Sequence, residues 1–161
     1  MPRYGIDTSI FVRLLTGDPA RDYEETRTAL EGILQDDAAA EIEVSNLVIA
    51  EAYFALQHHY GVPKDEARSA LISVLTSGLV KPQHGQRVLD ELSETSEPGM
   101  LDRLIAEDYS ASGLIPLTND RKMGRLPRVR LVVGDCEKVG AGGWRRSARP
   151  AKIQRVRDCE I

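Results

Sequence analysis

Two spacings of apolar residues organise the chain. Short runs at residues 3–6 ("RYGI") and 41–45 ("EIEVS", where Ile42 and Val44 alternate) predict strands, the first ending at Asp7. Between them, "SIFVRLLTG" puts Ile10, Phe11, Leu14 and Leu15 on one helical face. That helix stops at Gly17-Asp18-Pro19, with Thr8 or Ser9 placed to cap its start. A second helix is expected over residues 20–35, with Tyr23, Leu30, Ile33 and Leu34 facing inward. Ser45 is placed to cap a third, which runs to Gly61. Pro63 opens a fourth, with Asp65 and Glu66 in its first turn and a buried stripe of Ala67, Ala70, Leu71, Val74 and Leu75. "QRVLDELSET" predicts a short helix, and "MLDRLIAEDYSASG" another that Gly113 ends. "LIPLT" reads as a buried strand leading into Asn119-Asp120, and "RVRLVV" as the last strand. Strands alternating with helices predict an α/β fold with a mostly parallel sheet.

Both periods end near Gly134. Residues 1–134 are therefore read as one domain, and 135–161, rich in Gly and Arg, as a poorly ordered C-terminal extension. Hydrophobic residues make up 42% of the 161, enough for a real core. No apolar run approaches the roughly 18 residues needed to cross a bilayer, so no membrane partner is expected. The start, "MPRYGIDTSI", lacks the layout of a signal peptide, and Cys136 and Cys159 match no disulfide framework or metal-site spacing. A cytoplasmic protein is the expectation. Net charge is −4, but residues 135–161 hold seven Lys/Arg against four Asp/Glu, which leaves −7 for residues 1–134. An acidic body argues against a broad surface for duplex DNA; it allows a local groove in which acids hold cations.

The candidate chemistry starts from "VIAEAYFAL", residues 48–56, where Glu51 is the only charge in an oily stretch. Leu47 and Phe54 share its side of the helix, which predicts that Glu51 faces inward. Asp7 follows the first strand, Asp120 follows "LIPLT", and Asp102 lies in the first turn of its helix. Sites in open parallel sheets form beyond the carboxyl ends of strands, so these four acids are expected to meet there. Left bare, they would repel one another, and Asp7→Asn or Asp120→Asn would then stabilise the metal-free fold. Mg²⁺ or Mn²⁺, hard cations with oxygen ligands, would resolve the conflict and suit phosphodiester hydrolysis.

"YGIDTSIFVRLL", "NLVIAEAYFAL" and "LDRLIAEDYSASGLIPLTND" resemble the three motif blocks of PIN-domain nucleases, in particular VapC-type toxins of bacterial toxin–antitoxin pairs. The likeness spans about residues 3 to 133. It implies a three-layer α/β/α fold and a Mg²⁺-dependent endoribonuclease acting on RNA. Asp7, Glu51, Asp102 and Asp120 would be its catalytic and metal-holding residues. It also implies a cognate antitoxin that covers the acidic pocket, and a homodimer. Asn119 departs from the basic residue that many relatives carry there.

Other readings compete residue by residue. Asp7 suits a helix cap, Asp120 a turn and Asp102 compensation of a helix dipole. Thr8, Ser9 and Thr118 suit capping as well as orienting carboxylates. His58 and His59 point about 100° apart on a helix and are assigned a surface or core role. Glu91, Glu94 and Glu97 read as a solvated face. The run Arg121, Lys122, Arg125, Arg128 and Arg130 suits either RNA phosphates or a solvated loop. Trp144 with Arg145 and Arg146 is a weaker base-stacking candidate. A haloacid-dehalogenase-like phosphatase would need an acid two positions after Asp7, where Ser9 stands. A non-catalytic PIN-like module whose acids bind a basic partner is the alternative to an enzyme.

Overall fold

The alternation in "EIEVS" places β2 (Glu41–Val44) at the centre of a three-stranded parallel sheet, between β1 (Arg3–Gly5) and β3 (Lys81–Pro82). Arg3 pairs with Glu41, Gly5 with Glu43, and Glu43 with Lys81. These coordinates are a computed structural model, and residues 1–132 are described. The extension at 135–161, with Trp144, Arg145 and Arg146, lies outside the described residues. β4 (Leu117–Thr118) and β5 (Arg130–Leu131) form a separate two-stranded parallel sheet.

Six α-helices accompany the strands among the described residues: α1 (Thr8–Thr16), α2 (Ala20–Asp36), α3 (Asn46–His58), α4 (Lys64–Leu75), α5 (Gln86–Ser93) and α6 (Met100–Ala111). This helix and parallel-sheet arrangement is consistent with a three-layer α/β/α fold. The amphipathic readings of α1, α2 and α4 match: Phe11, Leu14, Leu30, Ala67, Leu71 and Leu75 are buried in one core with Ile42, Val44 and Ile49. Burying side chains of this size contributes roughly 1.5–3 kcal/mol each. Gly17 ends α1 at φ 67°, where its N–H bonds to the Arg13 carbonyl; only glycine reaches that conformation without steric cost. Among the described residues, no helix is long and apolar enough to cross a membrane.

Two strand expectations need correction. "LIPLT" is not a buried strand: only Leu117 and Thr118 pair, and Leu114, Ile115 and Leu117 are exposed. The stretch has the composition of a core strand, but a two-stranded sheet leaves it little to pack against. β3 was not expected, because Lys and Pro are poor strand formers; an edge position tolerates both.

Among the described residues, charge is buried in two places, and in both it is paired. Glu43 lies within the sheet, where its carboxylate accepts from Arg3 Nε at 3.1 Å and Nη2 at 2.7 and 2.9 Å. Arg103, buried in the first turns of α6, donates from Nε to the Pro98 carbonyl (3.0 Å) and from Nη1 to Glu91 (2.9 Å). Its Nη2 reaches Ser96 Oγ (3.1 Å) and the Ser96 carbonyl (3.4 Å). Glu91 is thus half-buried and paired, not part of a solvated face. Arg103→Ala should lower stability by about 3 kcal/mol in urea denaturation, because it strands Glu91 and the carbonyls around it. A loss below about 1 kcal/mol would mean that the connection between α5 and α6 is held by other contacts.

Candidate active site

Asp7 leaves β1 and starts α1. Its Oδ1 accepts from the Ile10 amide at 3.0 Å and from Ser9 Oγ at 2.7 Å. Asp7 is therefore the cap, and Thr8 and Ser9, expected in that role, are the first helical residues. The Ile10 N–H first, and the Ser9 hydroxyl next, hold the Asp7 carboxyl below its ordinary range. No neighbouring acid raises the Asp7 carboxyl, so Asp7→Asn relieves no repulsion and does not stabilise the fold, contrary to the expectation from a bare acidic cluster.

Glu51 does not face inward. The buried side of α3 carries Asn46, Ile49, Ala52, Tyr53 and Leu56; Leu47 is 77% exposed, Phe54 45%, and Glu51 is exposed with them. An oily helix offers two plausible faces, and the core takes the other one. Glu51 is nonetheless tied to the start of α1, because Thr8 Oγ1 donates to its Oε2 at 2.5 Å. The residue directly after Asp7 thus orients the carboxylate on α3.

Asp102 and Asp120 form a second group. Asp102 is half-buried in the first turn of α6, and Asp120 is exposed two residues past β4. Burial raises the Asp102 pKa first, and the charges of Asp120 and Glu97 raise it further. Thr118 Oγ1 accepts from the Asp120 amide (3.0 Å), and Asp120 Oδ1 accepts from the Lys122 amide (2.7 Å). Asn46 Nδ2 donates to the Leu104 carbonyl at 3.0 Å, which sets α6 against the first residue of α3.

Glu97 was missed as a member of this group. It is exposed and pairs with Lys122 Nζ at 3.1 Å, so it is solvated but also faces Asp102. No local pattern signals it, because the approach of Glu97 to Asp102 depends on the path of the α5–α6 connection. Lys122 is likewise engaged with Glu97, which leaves it less than a fully solvated loop residue. His58 and His59 are exposed, and His58 stacks on Phe54.

The four acids stand as Asp7 with Glu51, linked through Thr8, and Asp102 with Asp120. Among the described residues, no three His, Cys, Asp or Glu side chains are gathered into a set that could hold a metal ion. The donors still fit a hard divalent cation in kind: all four candidates offer carboxylate oxygen, and Asp102 carries an unfavourable field that a cation would relieve. A family model described as PIN domain matches residues 4–129, a span that contains all four acids. No curated protein and no solved structure matches the chain.

The opposite pKa directions of Asp7 and Asp102 predict opposite effects of neutralising them. Asp102 is raised, so its contribution is greatest below its ordinary value of 3.8 and is lost as pH rises through the folded-state value. Asp102→Asn should therefore melt higher than the parent at pH 7, with the gain vanishing near pH 3. Asp7 is lowered, so its charged form contributes above 3.8 and is lost as pH falls through its folded-state value. Asp7→Ala should cost about 1 kcal/mol at pH 7, mostly as a lost helix cap. Thermal melts across pH check both; a lower melting temperature for Asp102→Asn at pH 7 removes the repulsion.

Proposed function

The chain belongs to the PIN-domain family, a fold generally used by metal-dependent nucleases, and on that premise we propose that it is an endoribonuclease using Mg²⁺ or Mn²⁺ to hydrolyse RNA. The observation that carries this reading is Asp102: a half-buried carboxylate whose pKa is raised by burial and by two neighbouring acids, beside the end of a strand. Such a group is a strained anion in want of a counter-charge.

In this proposal Asp7, Glu51, Asp102 and Asp120 are the residues that would hold the cation, although no three of them are gathered into one set among the described residues. Held there, a divalent ion would supply activation of water and would offset charge on the phosphate. The chain's own residues prepare the site. The Ile10 amide and the Ser9 hydroxyl fix the Asp7 carboxylate at the start of α1 and favour its charged form. Thr8 fixes one oxygen of Glu51 and leaves the other available. Thr118 and the Lys122 amide hold the turn that presents Asp120.

The biological role that fits this reading is the toxin of a toxin–antitoxin pair, working in the cytoplasm as a homodimer. A basic antitoxin side chain would neutralise the acids in place of the cation. The second reading is a non-catalytic module whose acids bind a basic partner; the separation of the acids into two groups favours it.

Cleavage of RNA by the purified chain should require Mg²⁺ or Mn²⁺ and should be abolished by Asp7→Asn, whose amide still caps α1. Thr8→Val should lower activity about 10- to 100-fold, through loss of the hydrogen bond that orients Glu51. Metal at 100 times its Kd should add about 2.7 kcal/mol of stability by linkage. RNA left intact by the parent, with no melting shift at millimolar metal, would favour the non-catalytic module.

A further inference from the structure

Lys122 touches both of the acids that act on Asp102. Its amide donates to Asp120 Oδ1 at 2.7 Å, and its ammonium pairs with Glu97 Oε1 at 3.1 Å. Beyond burial, the charges of Asp120 and Glu97 are what oppose the Asp102 carboxylate. Both side chains of the Lys122–Glu97 pair are exposed, so the pair adds little to stability. Its backbone ends are nonetheless anchored. Met123, next to Lys122, is buried, and the Gly124 amide closes the turn onto the Asp120 carbonyl at 2.8 Å. Pro98, next to Glu97, is buried, and its carbonyl accepts from Arg103 Nε at 3.0 Å. The ammonium is therefore tethered beside the acids from two fixed stretches of chain.

We propose that Lys122 is a built-in counter-charge: paired with Glu97, its ammonium lowers the affinity of the neighbouring acids for a divalent cation. The proposal rests on the reading of those acids as a cation site and adds to it the residue that sets how tightly the site binds. Charge decides the direction. A cation is attracted by the carboxylates of Asp102, Asp120 and Glu97 and repelled by the ammonium. Two unit charges about 4 Å apart in water change an equilibrium constant about fivefold, which sets the scale of the effect. Because the pair is exposed, salt screens it, and the effect fades as ionic strength rises.

The test follows the melting temperature of the full chain as Mn²⁺ is titrated, which reads metal binding with no RNA present. At about 0.01 M ionic strength, Lys122→Met should show a given rise in melting temperature at about one-fifth of the Mn²⁺ concentration that the parent needs. This substitution keeps the amide that holds Asp120, and the melting curves establish that it folds. Lys122→Arg keeps the charge and should match the parent. At about 1 M, where screening acts over about 3 Å, the difference between Lys122→Met and the parent should vanish. In a Glu97→Gln background, which leaves the ammonium without its tether, Lys122→Met should do much less. Unchanged or weaker Mn²⁺ binding by Lys122→Met overturns the counter-charge, and so does a difference that survives high salt or Glu97→Gln. Those results leave the cation site standing. A parent that shows no Mn²⁺ shift overturns the cation site and the counter-charge together.

Discussion

The geometry of the candidate site depends on Arg103. Its guanidinium is buried at the start of α6 and spends its donors on Glu91, Ser96 and the Pro98 carbonyl. Those partners all lie on α5 or on the connection that follows it. One side chain therefore fixes where α6 begins and, with it, where Asp102 and Glu97 stand. Lysine could not replace it, because a single ammonium cannot reach partners spread around a planar fork. Arg68 supports the same region from α4, donating to the carbonyls of Leu92 and Glu94.

The site built on this frame treats its acids unequally. Asp7 sits where a helix begins, and the amides of α1 favour its charged form. Asp102 also lies in a first turn, but there burial and the fields of Asp120 and Glu97 outweigh the helix. Similar positions in two helices thus give opposite proton affinities, and the difference lies in what surrounds each. Three hydroxyl residues, Thr8, Ser9 and Thr118, each hydrogen-bond to one of these acids or to its backbone. Capping and orienting, weighed as alternatives in the sequence, coincide at Asp7.

Sequence patterns served well where a helix has one apolar side. α1, α2 and α4 show their buried residues in their spacing, and their ends carry recognisable signals such as Gly17 and Pro63. α3 is apolar almost all round, so spacing could not choose between its faces, and Glu51 was assigned to the wrong one. "LIPLT" has the composition of a core strand, but whether such a run is buried depends on what packs against it. β3 was invisible because pairing with Glu43 and Val44, not residue preference, makes Lys81 and Pro82 a strand. The placement of the acids at strand and helix ends was legible; the grouping of Glu97 with Asp102 depends on the path of the α5–α6 connection, which no local pattern encodes.

The division of the strands into two sheets has a mechanical consequence. Among the described residues, β4 and β5 pair with each other and with no strand of the β1–β2–β3 sheet. Asp7 leaves one sheet and Asp120 the other, so no ladder of backbone bonds locks the gap between them. The relative placement of the two acids therefore rests on packing between helices, including the Asn46 bond to the Leu104 carbonyl, and not on strand register.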